Sequence, residues 1–160
     1  MSMELHNQLV NKYFQPFHDQ VKRIYADYRK QGASQVYHLD AHSMPSKGNN
    51  THKDPGQIRA DIVVSDQEGK SCSTEFKDLV IKAYENTGLK VGYNWPYLGG
   101  RVTQTYGKPE LGQHTIQVEI KRSLYMDEEN KQWVAKKAQA LCDKLDRAVK
   151  HIVRKLPDLK

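Results

Sequence analysis

"IRADIVVSDQEGKSCSTEFKDLVIKAYENTGLKVGYN", residues 58 to 94, changes its hydrophobic period twice. "IRADIVVSD" is short and carries Ile, Val and Val together, which predicts a strand, and "QEGKSC" predicts a turn. From Ser73 or Thr74 the spacing becomes helical. Either hydroxyl can cap the first turn, and Phe76, Leu79, Val80 and Ala83 then face inward through about Asn86. Gly88 ends that helix, and "LKVGYN" predicts a second short strand. A strand, a helix and a strand within one short unit predict an α/β layered domain.

The flanks agree with this class. From Met3 to about Gln31, Leu5, Leu9, Tyr13, Phe17, Val21, Ile24 and Tyr28 recur every three or four residues, an apolar helical stripe. Pro16 lies inside it, and should kink the helix or start a second one, because it lacks an N–H. Gly32 is the stop. "SQVYHLDA" predicts a strand, "NNTHKDPGQ" a loop, residues 95 to 112 a glycine- and proline-rich loop, and "HTIQVEIKR" a strand. A last helix is predicted from about Glu128 to Leu156, with Val134, Ala138, Leu141, Leu145, Ala148 and Ile152 on one face. Ligands in such sheets bind beyond the strand ends.

Composition narrows the function classes. Two cysteines without a C-x-x-C spacing give no disulfide framework and fit a reducing compartment. No run of about eighteen apolar residues spans a membrane. The first ten residues lack a signal-peptide layout, so a cytoplasmic protein is expected. The formal charge is +6, concentrated in "KKAQALCDKLDRAVKHIVRK". Asp143 and Asp146 interrupt that run and no aromatic residue interleaves it, so a solvated helix face is expected rather than a nucleic-acid surface. "GKSC" lacks the upstream glycine of a phosphate-binding loop.

Candidate chemistry sits at the strand ends. His38, Asp40 and His42 alternate along "YHLDAHSMPSKG" and therefore share one side of an extended chain. His42 fits a zinc ligand or a structural histidine, and Asp40 can orient it or enter the site itself. Glu119 shares a strand face with Gln117 and Lys121; it fits a general base, or an exposed glutamate paired with lysine. Arg59, Arg101 and Arg122 can fork onto carboxylates, or simply face solvent. Asn94 and Tyr97, in "YNWPYLGG", can donate hydrogen bonds to a substrate, or belong to a tight turn. Cys72 is a weaker candidate, a nucleophile if a histidine lies near.

Four blocks taken together resemble the N-formylglutamate amidohydrolase family: "DAHSMPS" (40 to 46), "RADIVVSDQEGKSC" (59 to 72), "NWPYLGGRVTQTYGKP" (94 to 109) and "QVEIKRSLYMDE" (117 to 128). "YFQPFH" in the first helix adds to them. The resemblance implies a mixed sheet flanked by helices, of the phosphorylase/hydrolase-like kind found in zinc-dependent exopeptidase-like hydrolases. It implies a zinc-bound water attacking an amide or formyl carbonyl, with His42 as zinc ligand, Asp40 supporting it and Glu119 as general base. It also implies that Arg59 and Arg122 grip a small carboxylate substrate while Asn94 and Tyr97 shape the pocket.

The chain departs from the family pattern in places. Family members are longer, and their N-terminal half carries a "PHSG"-like segment with another zinc histidine; no "PHSG" occurs here. Ser65 stands where the family favours glycine and Lys121 where it favours asparagine. Residues 1 to 160 are therefore expected to form one partial domain of the family type. His38, or less readily His52, is left as a stand-in ligand. A second copy, or a separately encoded N-terminal half, is expected to cover what the partial domain exposes, and a non-catalytic binding module is the alternative expectation.

Overall fold

The computed structural model describes residues 1–159. The chain divides into two compact units, Met1–Val36 and the remainder from Tyr37.

The first unit is helical. α1 (Met3–Leu9) passes through a π segment (Val10–Phe14) into α2 (Gln15–Lys30). Ser2 caps α1 by accepting the Leu5 N–H at 3.2 Å. Pro16 falls in the first turn of α2, immediately after the π segment. It therefore neither breaks nor ends the run, because the wider turn absorbs the missing donor. Gly32 follows with φ +88°, the left-handed stop expected of it.

The second unit is built on a mixed four-stranded sheet in the order β1-β4-β2-β3: β1 (Val36–Met44), β2 (Ile62–Ser65), β3 (Val91–Tyr93) and β4 (Gln113–Lys121). α3 (Thr74–Glu85) crosses between β2 and β3, which run parallel, while β2 and β4 run antiparallel. Ser73, not Thr74, supplies the cap of α3, accepting from the Phe76 N–H at 3.3 Å.

Register decides the two faces of the sheet. Ile62 pairs with Ile120 and Val64 with Val118, so these side chains share one face. Together with Ile116 they meet Phe76, Val80 and Ala83 of α3 and Leu141, Ala148 and Ile152 of α5 (Ala135–Lys155). Full burial of Phe76 is worth about 2–3 kcal/mol. Val63 pairs with Glu119 and Ser65 with Gln117, which turns those four to the other face. The short α4 (Arg101–Tyr106) packs on β4 from that side, where a side chain at Gly100 would meet the Gln117 amide. The sheet is thus mixed and flanked by helices.

Three elements differ from the sequence expectation. β1 runs on to Met44, which is buried, so His42 lies inside the strand instead of closing it. Residues 95 to 112 are not all loop: α4 fits between Gly100 and Gly107, too short to show a helical period. α5 begins at Ala135 because residues 126–133 form a hairpin, β5 (Met126–Asp127) with β6 (Gln132–Trp133). Asp127 takes the Glu129 and Asn130 N–H groups on its carboxylate, holding as a turn a segment whose composition favours helix.

Gly48 closes the loop after β1. Its N–H donates to the Gln57 carbonyl and its own carbonyl accepts from Gly56. A Cβ at this position would run into the Asp54 carbonyl oxygen, a backbone atom. Gly48→Ala is expected to cost about 1–3 kcal/mol, read as a lower urea midpoint with an unchanged slope. An unaltered midpoint would show that the loop yields freely.

Candidate active site

Parallel strands β2 and β3 end side by side, and their ends carry a buried carboxylate. Asp66, directly after β2, accepts from the Tyr93 hydroxyl at 3.0 Å, from Asn94 Nδ2 at 2.9 Å and from the Gly69 N–H at 2.9 Å. Asn94 Oδ1 in turn accepts the Asp66 N–H at 3.1 Å. Asn94 adopts φ +51°, a left-handed conformation that asparagine tolerates better than most residues. Its amide is thus committed to fastening two strand ends. Cys72 is buried beside Asp66, and burial pushes its thiol up to about 12. A thiol so raised stays protonated at neutral pH, which counts against Cys72 as a nucleophile.

Arg59 is buried just before β2. Its Nε donates to Asp54 Oδ2 at 2.7 Å and one terminal nitrogen to Asp54 Oδ1 at 2.8 Å, a bidentate fork. The other terminal nitrogen donates to the Tyr97 hydroxyl at 2.8 Å and to the Pro45 carbonyl at 3.3 Å. The sequence expectation that Arg59 grips a substrate carboxylate meets a guanidinium already engaged on both edges by the protein. Asp54, absent from the sequence candidates, is its partner; the signal was only a carboxylate five residues upstream in a loop.

Tyr97, held through its hydroxyl, lines a cavity of about 360 Å³ together with Gln67, Gly99, Gly100, Gln104 and Gln117. Gln117 joins this cavity to Glu119: its Nε2 donates to Glu119 Oε1 at 3.0 Å. Glu119 is not the exposed, lysine-paired residue that the sequence left open. It is buried, and Lys121 pairs with Asp61 instead. Its second oxygen, Oε2, has no hydrogen-bond partner among the described residues. Burial raises the Glu119 pKa, an effect opposed electrostatically by the nearby His42, Arg122 and Arg59 and reinforced by Asp40.

His42 and Asp40 stand together on β1, with Nε2 3.0 Å from Oδ2. The approach lacks hydrogen-bond geometry, so the two are in electrostatic contact while Asp40 Oδ2 has no hydrogen-bond partner among the described residues. The His42 ring is half exposed. Arg122 reaches back to β1 and donates to Ser43 Oγ at 3.3 Å and to the Ser43 carbonyl at 3.2 Å, near the limits of a hydrogen bond. His52 accepts the Asn49 N–H on Nδ1 within its own loop, and burial lowers the pKa of His38.

A hydrolytic zinc takes about three protein ligands and keeps one position open. Among the described residues no group of three His, Cys, Asp or Glu side chains is placed to hold a metal ion. His42 and Asp40 supply two donors, one of them an orphaned carboxylate oxygen, so the described residues do not by themselves fit the zinc that the resemblance implies.

The chain is similar to known proteins in family and fold. A family model, N-formylglutamate amidohydrolase, matches residues 1–126. The crystal structure of N-formylglutamate amidohydrolase from Ralstonia eutropha JMP134 is similar at 25% identity and a TM-score of 0.84, over 99% of this chain and 57% of that one. A gene product from Agrobacterium tumefaciens shares the fold at 21% identity and a TM-score of 0.59, over 95% and 56% respectively. The chain therefore spans little more than half the length of these structures. No curated protein matches it.

Proposed function

Because the chain belongs to the N-formylglutamate amidohydrolase family, we propose that it carries the general-base side of a site hydrolysing an N-acyl amino acid of the N-formylglutamate type. One observation carries the reading: Glu119 is buried, with Oε1 tethered by Gln117 and Oε2 left to accept a proton. Water gives that proton to Oε2 and its oxygen attacks the formyl carbon. The C–N bond then breaks, and the proton passes to the leaving amine, releasing formate and the free amino acid.

Each neighbour has a part in this reading. Arg122, bound only at the margin of hydrogen-bond distance, takes a substrate carboxylate more readily than Arg59, whose fork is filled. Arg59 acts on the pocket indirectly, by fixing the Tyr97 hydroxyl. Asn94 holds the strand ends from which the Tyr97 loop departs. His42, with Asp40 beside it, would be a zinc donor only in an assembly that adds further ligands. A second copy or a separate N-terminal half is the source we propose for them.

The missing third ligand favours one other reading, a binding module that keeps the family fold without turnover. Zinc content and formate release from N-formylglutamate, measured on the same preparation, separate the two. Stoichiometric zinc with turnover is the result expected of the hydrolase. Neither zinc nor formate would overturn the stand-alone enzyme and leave the module.

A further inference from the structure

The cavity of about 360 Å³ at Tyr97 is walled wholly by residues of the second unit. Two primary amides in its wall have only one end left to offer. Gln67 Nε2 donates to the Gly99 carbonyl at 2.7 Å, and Gln117 Nε2 donates to Glu119 Oε1 at 3.0 Å. A carbonyl and an ionised carboxylate are acceptors only, so each amide must turn its nitrogen to that partner. Both amide oxygens are then left over, and neither accepts a hydrogen bond among the described residues. Gln117 Oε1 lies toward Gly100, 2.9 Å from where a Cβ there would stand, and Gly100 is itself part of the wall. The missing side chain at residue 100 keeps that oxygen open to an incoming group. Gln104 is exposed and can turn either end of its amide inward, so it selects nothing.

We infer that this cavity is the side-chain subsite of the hydrolase proposed above, and that it selects a primary carboxamide, as in an N-formylglutamine-type substrate, over the carboxylate of the glutamate counterpart. This assignment rests on the hydrolase reading and narrows its substrate. A carboxamide nitrogen gives its two hydrogens to Gln67 Oε1 and Gln117 Oε1. A carboxylate brings only lone pairs to the same two oxygens, and leaves Gln117, which is 5% exposed, desolvated and unpaired. The carboxamide oxygen has donors of its own. The Tyr97 hydroxyl, which accepts from Arg59, keeps its proton to give, and Lys53 brings an ammonium group. Among the described residues Lys53 is the one charge in the wall. It turns away an ammonium side chain and, being exposed, draws a carboxylate only weakly. Gln117 precedes Glu119 by two residues on one strand face, about 7 Å, the scale of a glutamine side chain with its amino group. Arg122, outside the wall, is left for the α-carboxylate.

Isothermal titration calorimetry of the metal-free full chain with N-formyl-L-glutamine and with N-formyl-L-glutamate tests this. The glutamine compound is expected to bind about tenfold tighter or more. Gly100→Ala crowds Gln117 Oε1 from an extended φ of −95° that alanine accepts, and is expected to cut the preference about threefold or more. Gln67→Asn suits the left-handed φ of +57° at that residue, draws the second oxygen back and is expected to do the same. Far-UV circular dichroism shows which variant is folded, and either alone decides. Glutamate bound as tightly as glutamine, or more tightly, overturns the proposal. So does binding of neither compound, or a preference that a folded variant keeps in full. Formate release on addition of zinc reports separately on the hydrolase: a retained preference without turnover removes the catalytic reading and leaves a carboxamide-binding subsite.

Discussion

Asp54→Ala is expected to destabilise the protein by about 3–5 kcal/mol, because it strands a buried guanidinium. The Arg59 and Asp54 side chains are each only 1% exposed, and their fork is short on both limbs. Removing the carboxylate leaves Arg59 with the Tyr97 hydroxyl and the Pro45 carbonyl, neither of which carries a charge to balance it. Urea unfolding at neutral pH measures the loss, and a change below about 1 kcal/mol would show that water reaches the site. Arg59→Met in the Asp54→Leu background is expected to recover part of the stability, since replacing both ions costs less than orphaning one.

The same pair predicts an acid limb. Hydrogen bonding and charge from Arg59 hold the Asp54 carboxyl below its ordinary range. A depressed folded-state pKa contributes stability that is present above the unfolded value and is lost as pH falls through the folded one. The wild type should therefore lose stability below about pH 4, and Asp54→Ala, already deprived of the pair, should show a flatter profile there.

Glu119→Gln is expected to lower any formate-releasing turnover by about 10²–10⁴-fold and, at the same time, to stabilise the fold at neutral pH. The two effects share one cause. The raised Glu119 pKa means that the folded protein pays for ionising this carboxylate, so stability is full below the ordinary glutamate range and declines as pH rises through the raised value. Glutamine has no such charge, keeps an oxygen for the Gln117 amide and cannot accept the proton. Thermal unfolding of metal-free protein checks the sign: a gain for the variant at neutral pH that vanishes in acid. A loss of stability at both pH values would mean that Glu119 serves chiefly to hold β4. Retained turnover in a folded variant would remove it as the base.

Local periodicity carried the fold class. The strand, helix and strand of residues 58–94 are legible because β-branched runs and an i, i+3, i+4 stripe need no distant partner to be recognised, and the capping hydroxyl at Ser73 and the left-handed Gly88 mark the helix ends. The same logic failed at residues 126–133, where Asp127 captures backbone amides, and at α4, which is shorter than two full turns. His42, Asp40 and Glu119 were readable as polar residue types at strand positions. Their company was not.

What the sequence by itself determined is the strand, helix and strand of residues 58–94, the two faces of the longer strands and the family to which the blocks belong, all properties of neighbours along the chain. What only the tertiary structure decided is which polar groups are already spent. Arg59 and Asn94 look free in the sequence and are tied to Asp54 and Asp66. Gln117 and Asp54 look incidental and hold the site together. A side chain's availability depends on partners far away in the chain, 28 residues between Asp66 and Asn94 and 79 between Ser43 and Arg122, and on antiparallel register, which sets Gln117 opposite Ser65 and Glu119 opposite Val63. Desolvation raises the pKa of Glu119, which the sequence alone leaves as a possible surface charge, because burial is a property of the packed chain and of no residue alone.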